Sequence, residues 1–137
     1  MAAVVFYDGN ILLSKNELFP AYYLPSCRVD MTERAEVSLL AEIKQSLDLD
    51  NEAELVRPLW FAEGLQKNTF YDLTLYLQVN VSQTNLLERG KSFRQVDEDS
   101  WTDYMWLPLD QLKQGDIYPK FLKEVKELPQ NFSFIRE

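Results

Sequence analysis

Apolar and polar positions along this chain follow two periods. From Tyr71 to Val81, "YDLTLYLQVNV", residues Tyr71, Leu73, Leu75, Leu77, Val79 and Val81 fall on one face. Asp72, Thr74, Gln78 and Asn80 fall on the other, and Tyr76 only partly breaks its polarity. A period of two predicts a β-strand. "VVFYDGNILLS" sets two apolar runs around Asp8-Gly9. That dipeptide suits the left-handed dihedrals of a two-residue turn, so a β-hairpin is expected. "AYYLP", Ala21 to Pro25, reads as a short third strand closed by its proline. "ELVRPLWFAEGL", Glu54 to Leu65, is strand-like, but Pro58 and Gly64 predict an edge position or a bulge. "WTDYMWLPL", Trp101 to Leu109, reads as another strand that Pro108 ends.

Between Thr32 and Leu47 the period turns helical. Thr32 is placed to cap the first turn through its hydroxyl. Val37, Leu40, Ile43 and Leu47 recur at steps of three and four and predict the buried stripe. Asp48 and Asp50 end the pattern. "LDQLKQG" predicts one helical turn closed by Gly115. Pro119 suits the first position of a last helix, with Leu122, Val125 and Leu128 buried and Pro129 as its stop. "NFSFI" reads as a short final strand. Residues 83–100 read as a long charged connection holding Arg89, Lys91, Arg94, Asp97, Glu98 and Asp99. The order strands, helix, strands, helix predicts an α/β or α+β layered domain around a mixed sheet. No repeat or linker divides the chain, so residues 1–137 are expected to form one domain.

Composition narrows the chemistry. Hydrophobic residues make up 46% of the 137 residues, enough for a core. The formal net charge of −8 opposes non-specific binding to a nucleic-acid polymer. A small phosphorylated ligand stays compatible with it, because a local cluster can oppose the net field. There is no His and a single Cys, Cys27. That removes Ser-His-Asp and Cys-His catalysis, an internal disulfide and a cysteine-rich zinc site. Any catalysis falls to carboxylates, Lys, Arg, Tyr and a hard cation such as Mg²⁺. No apolar run is long enough for a bilayer, and "MAAVVFYDGN" lacks the parts of a signal peptide. A cytoplasmic protein that does not engage membranes is the expectation.

One segment has the frame of a metal-dependent hydrolase. "LPSCRVDMTERAEVSLLAEIKQSLDLD", Leu24 to Asp50, resembles the Nudix box, whose pattern is a Gly, five residues, a Glu, seven residues, then Arg-Glu-aliphatic-x-Glu-Glu-x-Gly-aliphatic. The intervals fit over residues 27–49 without a gap. Cys27 stands at the Gly position and Glu33 at the first Glu. Ala41-Glu42 replaces Arg-Glu, Ile43 is the aliphatic residue, Gln45-Ser46 replaces Glu-Glu, and Asp48-Leu49 replaces the closing pair. "MWLPLDQL" is similar to the Trp-aliphatic-Pro-aliphatic-Asp-Glu-Leu segment late in many Nudix domains.

The resemblance implies a Nudix-type α/β/α sandwich around a mixed β-sheet. It also implies a catalytic set of Glu33, Glu42 and a downstream acid. Asp97, Glu98, Asp99 and Asp103 offer that acid, with Glu63 and Asp72 as others, and Glu98 is the one chosen. The metal set implied for Mg²⁺ or Mn²⁺ is Glu42, Gln45 and Glu98. In the helix Glu42, Gln45 and Ser46 share one face, but one anion stands where the family has three. Ala41 cannot pair with Glu33 as the family's Arg does. Weak metal binding is therefore expected.

Two readings stay open within the resemblance, beside a third and weaker one, an unrelated α/β domain whose helix matches the spacing by chance. One is a divergent Nudix hydrolase that splits a diphosphate linkage of a nucleoside diphosphate derivative. The other is a catalytically inactive Nudix-fold protein that binds a nucleotide, another metabolite or a protein partner. The ligand expected is a small phosphorylated metabolite or nucleotide, and a homodimer is among the assemblies left open. Arg89, Lys91 and Arg94 are candidates to grip a phosphate, although a solvated basic loop is the plainer reading. Trp60, Phe61, Trp101 and Trp106 could stack on a base, although Trp106 is expected in the core.

Overall fold

The computed structural model describes residues 1–18, 21–26, 34–47, 53–66, 70–81, 89–98, 100–118 and 120–136. The strands are β1 (Ala2–Tyr7), β2 (Asn10–Asn16), β3 (Ala53–Gln66), β4 (Phe70–Val81), β5 (Ser92–Asp97), β6 (Ser100–Pro108) and β7 (Ser133–Arg136). One helix, α1 (Ala35–Leu47), lies between β2 and β3 in the chain. All seven strands form one mixed sheet in the order β5-β6-β2-β1-β4-β3-β7. The β1–β4 and β3–β7 pairs are parallel and the other pairs antiparallel. The protein is thus a mixed α/β domain with a seven-stranded sheet and one main helix.

The first hairpin forms at Asp8-Gly9, where both residues take positive φ, 47° and 79°. Those values belong to the two-residue turn that the dipeptide favours. Beyond the turn the two strands part. β1 pairs with β2 only at Phe6–Ile11 and Tyr7–Asn10. The segment Tyr22–Ser26 enters the gap between them. Its Tyr23 exchanges backbone bonds with Ser14 at 2.7 and 2.8 Å, and the Pro25 carbonyl accepts from the Ala3 N–H at 2.8 Å. The expected third strand is therefore a set of isolated bridges. Pro25 has no N–H to donate, so the ladder cannot run through it.

Alternation along the strands builds a core on each face. Ala3, Val5, Leu12, Leu77, Val79, Val81, Tyr104 and Trp106 bury one face together with Leu39, Ile43 and Leu47 of α1. Their neighbours Ala2, Val4, Ile11, Leu13, Leu59, Trp60 and Tyr76 point the other way and pack with Leu109, Leu112, Ile117 and Leu122. β4 is thus covered on both faces near its middle, where Tyr76 and Gln78 are buried beside Leu77 and Val79. The face expected to be polar is not solvated there. Near the start of β4, Leu73 is exposed instead.

Three further expectations are corrected. Val37 is 58% exposed, and the buried stripe of α1 runs through Leu39, Ile43 and Leu47 with Leu40 beside it. At about 100° per residue, Val37 lies well over a quarter-turn from the centre of that stripe. Residues 92–97, read as part of a loop, form β5, an edge strand paired along β6. The last helix is a 3₁₀ segment, Lys120–Glu124, in which Leu122 alone is fully buried. Without a continuous apolar stripe it lacks the tertiary support a longer helix needs.

Other expectations match the structure. Leu109–Gln114 is a 3₁₀ turn closed by Gly115, whose N–H bonds the Leu112 carbonyl at 3.2 Å. β3 carries irregularities on either side of the Arg57-Pro58 pair and is paired with β7 only at Trp60–Glu63. Pro58, which lacks an N–H, thus sits outside the stretch bonded on both sides. Thr32 and its cap lie outside the described residues.

Candidate functional site

α1 and the β5–β6 hairpin rise from the same face of the sheet and leave a groove between them. The groove has a volume of about 530 Å³ and is lined by Glu42, Gln45 and Ser46 from α1. Gln95, Val96, Ser100, Thr102 and Tyr104 line it from the hairpin. Strand register explains the hairpin wall. Phe93 pairs with Tyr104 and Gln95 with Thr102, so these four side chains share the face toward α1. The helix wall follows from the spacing i, i+3, i+4, with Ile43 and Leu47 turned into the core beside it.

A smaller recess of about 110 Å³ continues inward from the groove. Glu42, Ser46, Thr102 and Tyr104 line both spaces. Ser14, Tyr23, Pro25, Ser26, Ile43 and Leu47 complete the inner wall. Tyr23 and Pro25 are there because their segment is wedged between β1 and β2. The Asn16 amide donates to the Tyr23 hydroxyl at 2.7 Å, and the Ser14 hydroxyl donates to the Tyr23 carbonyl at 3.1 Å.

Tyr104 stands at the junction of the two spaces. It is 7% exposed, and its ring stacks on Phe93 at 5.2 Å. Its hydroxyl bonds no other described residue and stays open to solvent. Burial, first, raises its pKa; the Tyr23 phenol and the Glu42 carboxylate push the same way, against Arg89. Burial also raises the pKa of Tyr23, opposed by its hydrogen bond with Ser14. Both phenols therefore keep their protons at neutral pH. Trp106, on the same strand face two residues beyond Tyr104, is core as expected, and its indole N–H is buried without a partner among the described residues.

The sequence-predicted residues are not all brought together. Glu42 and Gln45 share the groove wall. The Ser46 hydroxyl donates to a Glu42 oxygen at 3.3 Å, long for such a bond. Glu98 sits at the exposed tip of the β5–β6 hairpin with φ of 52° and is not among the groove's lining residues. Glu33 and Cys27 lie outside the described residues. Asp103 is held by Arg94 on the opposite face of the sheet, with contacts of 2.6 and 3.1 Å. That hydrogen bond, first, holds the Asp103 carboxyl below its usual pKa; burial opposes it, and the charges of Arg94 and then Lys15 add to the lowering. Arg94 also lies 4.2 Å from the centre of the Trp101 ring. Arg89 lies over Phe93 and donates to Gln95 at 3.4 Å, which sets one cation behind the hairpin wall. Trp60 packs edge-on against Tyr76 and Phe121 as core.

For a divalent cation the wall offers one carboxylate, an amide carbonyl and a hydroxyl. Among the described residues no three of Asp, Glu and Cys gather. This donor set does not fit a resident Mg²⁺ or Mn²⁺, which charge would have to hold. It fits uncharged hydrogen-bonding groups better, since Gln45, Ser46, Gln95, Ser100, Thr102 and Tyr104 all donate, accept or do both. Tyr104, Thr102, Tyr23 and Ser14 are the residues the sequence reading missed. The alternation of Trp101–Leu109 already put Thr102, Tyr104 and Trp106 on one face; it did not show that this face meets α1.

In comparison with known proteins, no family model matches the chain and no curated protein matches it. Among the described residues no helix is long and apolar enough to cross a membrane.

Proposed function

We propose that this chain is a divergent Nudix-like domain, an α/β/α sandwich, that binds a small phosphorylated metabolite or nucleotide in the groove between α1 and the β5–β6 hairpin. Binding, not hydrolysis, is the function proposed. The observation that carries it is the make-up of the groove. The box-like positions Glu42, Gln45 and Ser46 form one wall, and neutral hydrogen-bonding side chains form the other. A volume of about 530 Å³ falls in the ordinary range of ligand clefts. The loss of two carboxylates from the box leaves a surface for recognition in place of one for metal-held diphosphate.

Titration calorimetry with nucleoside mono-, di- and triphosphates, nucleotide sugars and sugar phosphates tests this reading. The expected result is saturable binding by at least one of them with EDTA present, and no release of phosphate or nucleoside monophosphate with Mg²⁺ or Mn²⁺. The retained Glu42 at its box position favours the second reading, a divergent hydrolase. Metal-dependent turnover that disappears in Glu42→Gln would establish that reading and displace the first.

A further inference from the structure

We propose that the inner recess is a subsite for the vicinal diol of a pentose ring, with Glu42 accepting hydrogen bonds from the diol and Tyr104 donating one to it. The inference rests on the ligand-binding reading above and deepens it. It names the uncharged part of the ligand and makes Glu42 a sugar acceptor where the box frame would make it a metal ligand.

Size comes first. About 110 Å³ is the space of roughly four waters, enough for the hydroxyl edge of a pentose ring and too little for a base. The walls come second. Pro25, Ile43 and Leu47 are apolar, and Ser14, Tyr23, Thr102 and Tyr104 are polar but neutral. A pentose has the same division, with C–H faces and a hydroxyl edge. Charge comes third. Glu42 is the one charged side chain among the recess-lining residues. A phosphate placed beside it without a cation would meet like-charge repulsion. Two hydroxyls offer it donors with no such cost, as carboxylates do for ribose hydroxyls in dinucleotide sites.

Hydrogen-bond capacity decides the roles. The long Ser46 contact leaves Glu42 with acceptor capacity to spare. The Tyr23 hydroxyl is already engaged by Asn16. Tyr104 borders both spaces, and its hydroxyl, which bonds no other described residue and stays open to solvent, can donate to a ligand there. With the diol inside, the phosphate end lies outward in the wider groove, on the side where Arg89 bonds Gln95.

The experiment is calorimetric titration of the full chain with D-ribose 5-phosphate and with 2-deoxy-D-ribose 5-phosphate, both in EDTA. The ribose compound is expected to bind about tenfold more tightly, the worth of one further hydrogen bond to a charged acceptor. Tyr104→Phe and Glu42→Gln should each remove most of that preference, with thermal melting of the unliganded variants showing that both still fold. Equal binding of the two sugars overturns the subsite while leaving ligand binding in the groove intact. So does a preference that survives both substitutions, or one that appears only with Mg²⁺. Binding of nucleotides without either sugar phosphate overturns it as well. Failure of the whole ligand panel overturns the proposed function, and the subsite falls with it.

Discussion

Glu98 shows what one residue's backbone can say that its chemistry cannot. The acidic run Asp97-Glu98-Asp99 offers carboxylates, and a metal-site reading takes them at face value. In the fold Glu98 follows the end of β5 and is held at positive φ, where an L-residue is disfavoured by about 1–2 kcal/mol. Glu98→Gly is therefore expected to stabilise the protein by about 1 kcal/mol in urea titrations, and to leave groove ligands bound as before. The buried phenols set an alkaline limit. The unfolded chain releases phenol protons from about pH 10, while folded Tyr104 and Tyr23 hold theirs to higher pH. Above that point the unfolded state binds fewer protons, so stability falls as pH rises through the folded pKa values. Tyr104→Phe should flatten this fall, seen as a smaller loss of melting temperature between about pH 9 and pH 11.

Helix α1 marks how far a period can be read. Steps of three and four from Val37 and from Leu39 both pass through Ile43 and Leu47, so the pattern admits two stripes. The sheet chooses between them, because Leu39, Ile43 and Leu47 meet Ala3, Val5 and Val79. Leu39→Ala is expected to cost about 2–5 kcal/mol, and Val37→Ala less than about 0.5, measured by denaturant melts. The face carrying Glu42, Gln45 and Ser46 was legible because the box frame fixed the spacing. Its opposite wall was not. β5, "SFRQVD", is a short, charged edge strand, and it owes its existence to pairing with β6 more than to its own sequence. The wedge at Tyr22–Ser26 was legible only as extended chain. Its place between β1 and β2, which brings Tyr23 into the recess, depends on backbone bonds to Ser14 and Ala3 that no local pattern specifies.

At the scale of the whole molecule, strand order governs both rigidity and exposure. β1, β2 and β4 lie inside the sheet, whereas β5 and β7 form its edges. Amide hydrogen exchange is expected to be slowest in Val4–Val5, Leu12–Leu13 and Leu77–Val79, and fastest among the strands in β5 and β7. One groove wall is thus a yielding edge hairpin facing a firmly packed helix, so ligand binding should slow exchange in β5 more than in α1.

The splayed first hairpin also bears on how the chain is made. Ala2–Phe6 await Tyr76–Asn80, and Asn10–Asn16 await Thr102–Pro108. As the polypeptide leaves the ribosome, its first two strands emerge with neither outer partner yet synthesised. Of the two, "NILLSKN" travels longer with a bare flank, because its partner in β6 is made after β4, at a stage when unpaired strands attract one another between chains. Slower translation would lengthen that interval and so raise the yield of aggregate, a burden on protein synthesis that follows from strand order alone.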